Sequence, residues 1–231
     1  APTPPPVNGT ASVAPGAPST RILAASSFTA GTVPLLTGWT LTGVASSLSR
    51  YEFQQSIDGG SYKSVALKWT TATNAVTAAL PGHRYRFRVR AFDKVGRASA
   101  WATGPTLIAS AAQEITAAAK YSAGWITASH AAYLGGKVLA SRTTGAHVTY
   151  KFTGRSFGLV GPSGPTRGKA YAYLDGKLLL TFDTYSPTFQ PRRVLQTIFT
   201  SAGTHTVTIR VLGTSGRPWV AVDAFFILTA S

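Results

Sequence analysis

Cysteine and methionine are absent from the 231 residues, and acids are scarce: seven Asp+Glu stand against 22 Lys+Arg. Without cysteine there is no disulfide framework, no thiol nucleophile and no Cys-ligated zinc or iron–sulfur centre, so any catalysis would fall to carboxylates, histidines or hydroxyls. Without methionine, Ala1 is not an initiator position, and no signal or transit peptide is visible after it. No uninterrupted apolar run reaches the roughly 18–20 residues of a membrane span, which predicts a soluble chain. What the chain does have is positive charge, +15 net. That field attracts polyanions of any kind: nucleic acid, teichoic or uronic polysaccharides, or an acidic protein.

Residues 1–18, APTPPPVNGTASVAPGAP, carry no charge and no polar–apolar alternation. This is the composition of an extended linker or tail rich in polyproline II, and it marks the chain as the C-terminal piece of a longer secreted protein. From 19 to 108, short strands alternate with turns. Tyr51, Phe53 and Gln55 share one face, Asp58-Gly59-Gly60 turns the chain into residues 62–65, and Arg84, Arg86, Arg88 and Arg90 alternate with Tyr85, Phe87, Val89 and Ala91. The last pattern predicts one buried and one cationic face. Residues 109–120, rich in alanine, read as a linker with the domain boundary near 110. Strand patterns resume over 121–231, as in Val148, Tyr150 and Phe152 or Val207, Ile209 and Val211, and residues 219–228 are apolar on both faces apart from Asp223. The predicted fold class is all-β, with two β-sandwich domains.

Trp39, the corner Leu80-Pro81-Gly82-His83-Arg84-Tyr85 and the segment 91–101 give the first half a pattern that resembles a fibronectin type III domain. The resemblance implies a core role for Trp39, a Tyr85 hydroxyl bonded back across the corner, and a final hairpin over 91–101. In the second half the carrying motifs are Trp125-Ile126-Thr127-Ala128-Ser129, the strand 148–157 continuing into Gly161-Pro162, Tyr173-Leu174-Asp175-Gly176-Lys177, Gly203-Thr204-His205-Thr206-Val207 and Val222-Asp223-Ala224-Phe225. In order and spacing these resemble the galactose-binding-like, carbohydrate-binding-module-type jelly rolls of secreted bacterial proteins. That resemblance implies a domain over 121–231 that binds carbohydrate or another surface ligand without catalysis, outside the cell or at its surface. The motifs are turn and core residues, so they report fold more than ligand.

Seven carboxylates permit a nearly complete audit. Asp58 and Asp175 precede glycine in hairpin turns and Asp93 lies in a similar loop, where aspartate accepts local backbone N–H groups. Glu52 is an ion-pair partner for the Arg strand, and Glu114 falls in the linker. Asp183 and Asp223 alone remain for a glycosidase pair, and nothing in their spacing brings them together. Asp223, interrupting an apolar strand, reads as a buried acceptor satisfied by backbone N–H groups or by an arginine. The jelly-roll resemblance admits a structural calcium near Asp183, but calcium wants several oxygens and no acidic cluster is present, so no cofactor and no metal are expected. The four histidines show no metal-ligand spacing, and no GxSxG elbow exists.

Aromatics carry the candidate site. Lys169, Tyr171 and Tyr173 alternate with Ala170, Ala172 and Leu174. If the small residues pack inward, two tyrosines and a lysine form a platform on which a sugar stacks while the cation meets an anionic group; the alternative puts the tyrosines in the core. Tyr185, Phe189, Arg192 and Arg193 form a second group in and beside a long loop, and Trp219 is a third candidate at a loop end. Nucleic acid is disfavoured, because the charge is split almost evenly, +7 over residues 1–109 and +8 over 110–231, with no recognition helix or RNA-binding signature. The sequence thus predicts a non-catalytic extracellular module that attaches an associated enzyme or surface assembly to an anionic glycan. The alternative is a structural subunit of an extracellular filament or coat, self-associating through residues 1–18.

Overall fold

The computed structural model describes residues 9–28 and 31–230. The first half contributes β1 (Val13–Pro15), β2 (Ser19–Ile22), β3 (Val33–Gly38), β4 (Leu41–Gly43), β5 (Leu48–Ile57), β6 (Lys63–Ser64), β7 (Asn74–Ala79), β8 (Arg84–Asp93) and β9 (Ala102–Gln113). The second contributes β10 (Ala119–Tyr121), β11 (Ile126–Ser129), β12 (Lys137–Ser141), β13 (His147–Ser163), β14 (Lys169–Leu174), β15 (Lys177–Asp183), β16 (Gln190–Val211), β17 (Val220–Val222) and β18 (Ala224–Ala230). Two single-turn helices are the only helical pieces among the described residues, so the all-β expectation holds.

The strands form where the side chains alternate. In β8, Tyr85, Phe87, Val89 and Ala91 turn inward while Arg84 and Arg86 face water, the period-two pattern of a sheet with one wet face. Opposite them, Ile22, Leu35 and Trp39 complete a first core, in which Trp39, Phe53 and Phe87 stack in series at 5.1 and 5.6 Å between ring centroids. The Leu80 N–H donates to the Tyr85 hydroxyl at 2.8 Å, pinning the corner before β8. A second core gathers Phe157, Ile209, Phe225, Ala170 and Ala172 under the long strands β13, β14 and β16, with Val220 and Val222 from β17.

One 10-stranded sheet runs through both halves in the order β15-β14-β16-β13-β18-β9-β8-β5-β6, with β10 beside β13; the three-stranded sheets β2-β3-β7 and β11-β12-β17 complete the framework. The 12 residues of β9 join the halves: Leu107 pairs with Tyr85 of β8 on one side and with Ala230 of β18 on the other. The expected linker over 109–120 therefore has to be corrected. Its first five residues complete β9, with Ala109 fully buried, and alanine hid this because its small side chain gives no polar–apolar contrast. The expected tail over 1–18 is corrected in part as well. Val13–Pro15 pairs with β4 of the same chain and Val13 is buried, while residues 1–8 lie outside the described residues, so the call of self-association through 1–18 has its described part folded onto its own sandwich.

The Arg84–Arg90 stripe is not a free cationic track. The Arg88 guanidinium lies between the rings of Tyr62 and Trp101, at 3.9 and 4.1 Å from their centroids, and donates to Gln54. Arg90 sits 4.5 Å from the Trp101 centroid and pairs with Glu52 at 2.6 Å. Arg50 then caps Phe92 at 3.7 Å. The inner part of the stripe, Arg88 and Arg90 with Arg50 alongside, is a ladder of alternating cations and rings.

Candidate functional site

Four turns converge at one end of the second sandwich, around residues 130–136, 164–168, 183–190 and 214–219. Backbone bridges between Gly164 and Tyr185 and between Arg167 and Trp219 tie them together. Gly168 admits no side chain, since a Cβ there would meet the Arg217 carbonyl; this close approach fixes the 214–219 turn against the start of β14. The Thr184 hydroxyl, fully buried, donates to the Gly168 carbonyl at 2.7 Å.

Arg217 organises this end. Its guanidinium makes a fork to both oxygens of Asp183 at 2.6 and 2.8 Å, donates to the Arg167 carbonyl at 2.9 Å and lies 5.1 Å from the Tyr185 ring centroid. The hydrogen bond from Arg217 holds the Asp183 carboxyl below its ordinary range, and Asp183 in turn raises Arg217. Such a bidentate pair orients both groups. Arg167, pushed down by burial, donates to the Tyr133 hydroxyl at 3.3 Å. Beside the ion pair, Tyr185 is 51% and Phe189 43% exposed. Phe189 packs edge-on against His130 at 5.0 Å and Tyr133 at 6.0 Å. A cleft of about 230 Å³ opens next to Tyr185, lined also by Ser163, Asp183, Ser186, Gln190 and Arg193. Exposed rings, a fixed ion pair and uncharged donors around a shallow cleft are what a sugar ring requires: C–H faces to stack and hydroxyls to bond.

About half of the chain is similar in structure to solved carbohydrate-binding modules. One is the first family 36 module of a multidomain xylanase from the hindgut metagenome of Trinervitermes trinervoides, with 14% identity, a TM-score of 0.39, and coverage of 53% of this chain and 98% of that one. Another is a family 35 module from Clostridium thermocellum, at 11% identity and TM-score 0.39, covering 52% and 98%. A third is a family 36 module in complex with calcium and xylotriose, at 15% identity and TM-score 0.36, covering 52% and 99%. No protein-family model matches the chain, and no curated protein does.

The eight residues expected to bind fall into two groups. Lys169, Tyr171 and Tyr173 lie on the outer face of β14, with Ala170 and Ala172 fully buried on the other. The two tyrosine rings meet edge to face at 6.3 Å, and Arg210 of β16 lies 5.6 Å from the Tyr173 centroid. Tyr185, Phe189, Arg192, Arg193 and Trp219 belong to the loop end. Two of these are committed to structure. Arg192 donates to the Ala132 and Tyr133 carbonyls at 2.7 and 3.2 Å, clamping the 130–136 turn, and Trp219 is half-buried with its N–H and C=O both bonded and Arg142 at 5.4 Å. Arg193 reaches only Ser27, at 3.4 Å.

Asp183, where the sequence admits a structural calcium, is engaged by Arg217 through both its oxygens. Among the described residues no three His, Asp or Glu side chains gather as metal ligands, whereas calcium takes six to eight oxygens. Sequence reasoning missed Arg217, His130 and Tyr133. Arg217 had a local signal in Gly216-Arg217-Pro218, but its partner Asp183 is 34 residues away. The turn aspartates Asp58 and Asp175 behave as expected: each accepts a backbone N–H from the facing strand, Arg84 and Thr206, and a histidine nitrogen, His83 at 2.6 Å and His205 at 2.8 Å.

Proposed function

We propose that this chain is a non-catalytic extracellular glycan-binding module, a fibronectin type III-like spacer fused to a jelly-roll binding unit, that attaches an associated enzyme or surface assembly to a polysaccharide. The observation that carries the reading is the loop end: Tyr185 and Phe189 are half-exposed large rings beside a cleft, with Tyr185 held against the Asp183–Arg217 pair. Exposed aromatics in a fixed loop lose favourable burial unless a ligand covers them. The Tyr171–Tyr173 face, with Lys169 and Arg210, offers a longer glycan a second place to lie.

Catalysis has no part in this reading, since the loop-end carboxylate, Asp183, is held by a cation and has no carboxylate partner across the cleft. Net charge favours acidic glycans.

A glycan array read at low and high salt tests the proposal. Binding to a defined glycan that persists in high salt, and that falls about tenfold or more in Tyr185→Ala and in Phe189→Ala, is the expected result. Binding that follows only the charge density of the ligand and vanishes with salt would remove the proposal, as would unchanged affinity in both variants.

A further inference from the structure

A cleft of about 390 Å³ lies not at the loop end but where the two halves meet. Its floor is the outer face of β2 and β3, including Arg21, Leu36 and Gly38; Trp39 and Asn74 stand at one end, and Phe199 of β16 forms the far wall. Phe199 is 45% exposed. Its ring carries a second cation, Arg155, 5.1 Å from the centroid.

Three features in or beside this cleft lack a structural explanation. Arg155 stands at a β-bulge, between Gly154 and Ser156 where the β13–β16 register shifts, and its Nε is buried with no partner. Bulges re-aim side chains and often mark functional positions. The Trp39 indole N–H, in a residue only 7% exposed, is also without an acceptor among the described residues, although burying an unsatisfied donor is costly. Arg21 forms no ion pair with a described residue. No acid lines the cleft, and Arg21 is the one charged residue on its lining; Arg155 stands beside it, against Phe199.

We propose that this inter-half cleft is a second binding site, distinct from the loop end, for an anionic pyranose, a sugar bearing a carboxylate or a sulfate. The apolar face of the ring packs on Phe199, the anionic group meets Arg21, with Arg155 adding positive charge from beside the Phe199 ring, and ring hydroxyls reach Asn74. Planar guanidinium groups suit both carboxylate and sulfate oxygens. The site needs both halves, because Phe199 comes from the second and the other lining residues from the first.

The test is run in a Tyr185→Ala background, so that failure of the loop-end reading and failure of this one are separable. The indole N–H resonance of Trp39, identified by its disappearance in Trp39→Phe, is followed while trigalacturonate, galactose 6-sulfate or neutral methyl galactoside is added. The expected result is saturable movement of that resonance with at least one anionic sugar, and at least about tenfold weaker binding of the neutral one. Arg21→Gln and Phe199→Ala should each weaken the anionic ligand by about tenfold, whereas Lys94→Gln, an exposed cation away from the cleft, leaves it unchanged. The carboxylate and sulfate arms show which anion the site takes. A Trp39 resonance that does not move overturns the proposal. So does equal binding of the neutral sugar, or a loss in Lys94→Gln as large as in Arg21→Gln. Thermal melting of each variant separates loss of binding from loss of fold.

Discussion

Two carboxylates, Glu114 and Asp223, are buried where β9 ends beside β18, and the Glu114 N–H donates to the Asp223 carbonyl at 3.0 Å. The Asp223 carboxylate receives a single N–H, from Leu134 at 3.1 Å to each oxygen. Burial, together with the charge of Glu114 and against the Leu134 hydrogen bond and Arg192, pushes it up from 3.8 to about 7. Glu114 is raised as well, again chiefly by burial, and its Oε2 has no partner. A carboxyl whose folded-state value is raised binds a proton in the folded chain that the unfolded chain has lost. Stability is therefore greatest at the acid end of the window between 3.8 and about 7 and falls as pH rises through it. His205, raised by its hydrogen bond to Asp175, acts in the same direction. Asp58, Asp93, Asp175 and Asp183 are all lowered, so they stay ionised above pH 5 and do not oppose the trend. The Tm should drop by about 5 °C between pH 5 and pH 8, the equivalent of roughly 1–2 kcal/mol for a chain of this size. Asp223→Asn should remove most of that slope; a slope unchanged in the variant would assign it elsewhere. The sequence showed Asp223 as a buried acceptor because it interrupts an apolar strand. Glu114 was illegible, since an acid inside an alanine run looks like linker whether or not a second strand covers it.

At the scale of the strand, period-two alternation exposed β5, β8, β13 and β16 in the sequence because large and polar side chains contrast there. It concealed β1 and the end of β9, where alanine and proline give no contrast and pairing with β4 and β18 decides the structure. The Arg stripe of β8 was legible as a face, but its meaning depended on Tyr62 and Trp101, which come from a hairpin and from the run into β9. Arg88 holds that ladder together through two rings and Gln54. Arg88→Lys keeps the charge but loses the planar stack and the fork of donors, and should cost about 1–2 kcal/mol in urea unfolding. Arg84→Lys, on the exposed start of the same strand, should stay within about 0.5 kcal/mol. Equal effects would mean that charge and not stacking matters on this face. The candidate site was legible at the same level. Alternation identified the outward tyrosines of β14 and loop composition identified Tyr185 and Phe189, whereas the arginines that clamp the loops depend on contacts across 34 to 60 residues of sequence.

Across the molecule, the two halves share strand β9, and the first core draws Val160, Val194, Phe226 and Leu228 from the second half. Fusion of the cores links their unfolding. Calorimetry of the full chain should give one transition. A chain cut between residues 108 and 109 should not yield two independently stable pieces, because the cut divides β9 and exposes Leu107, Phe226 and Leu228. Two separable transitions would instead restore the linker reading of 109–120. Recognition of two sandwich patterns in the sequence came from turns and cores that lie inside each half; the continuity between them rests on seven residue pairs between β9 and β18, none of which leaves a local mark.

That shared strand also bears on avidity. Modules joined by a flexible linker must give up orientational freedom before two contacts form on one polymer, and the effective concentration of the second contact falls with linker length. Here the loop end and the far side of the inter-half cleft, Phe199, both lie on or beside β16, and the floor of the cleft packs on the same fused core, so their separation is set before any ligand arrives. A polysaccharide whose charged residues match that spacing gains the second contact with little ordering cost in the protein, while one out of phase gains only the first. With both proposed sites occupied, this fixed spacing would make the chain a gauge of the repeat length of its ligand.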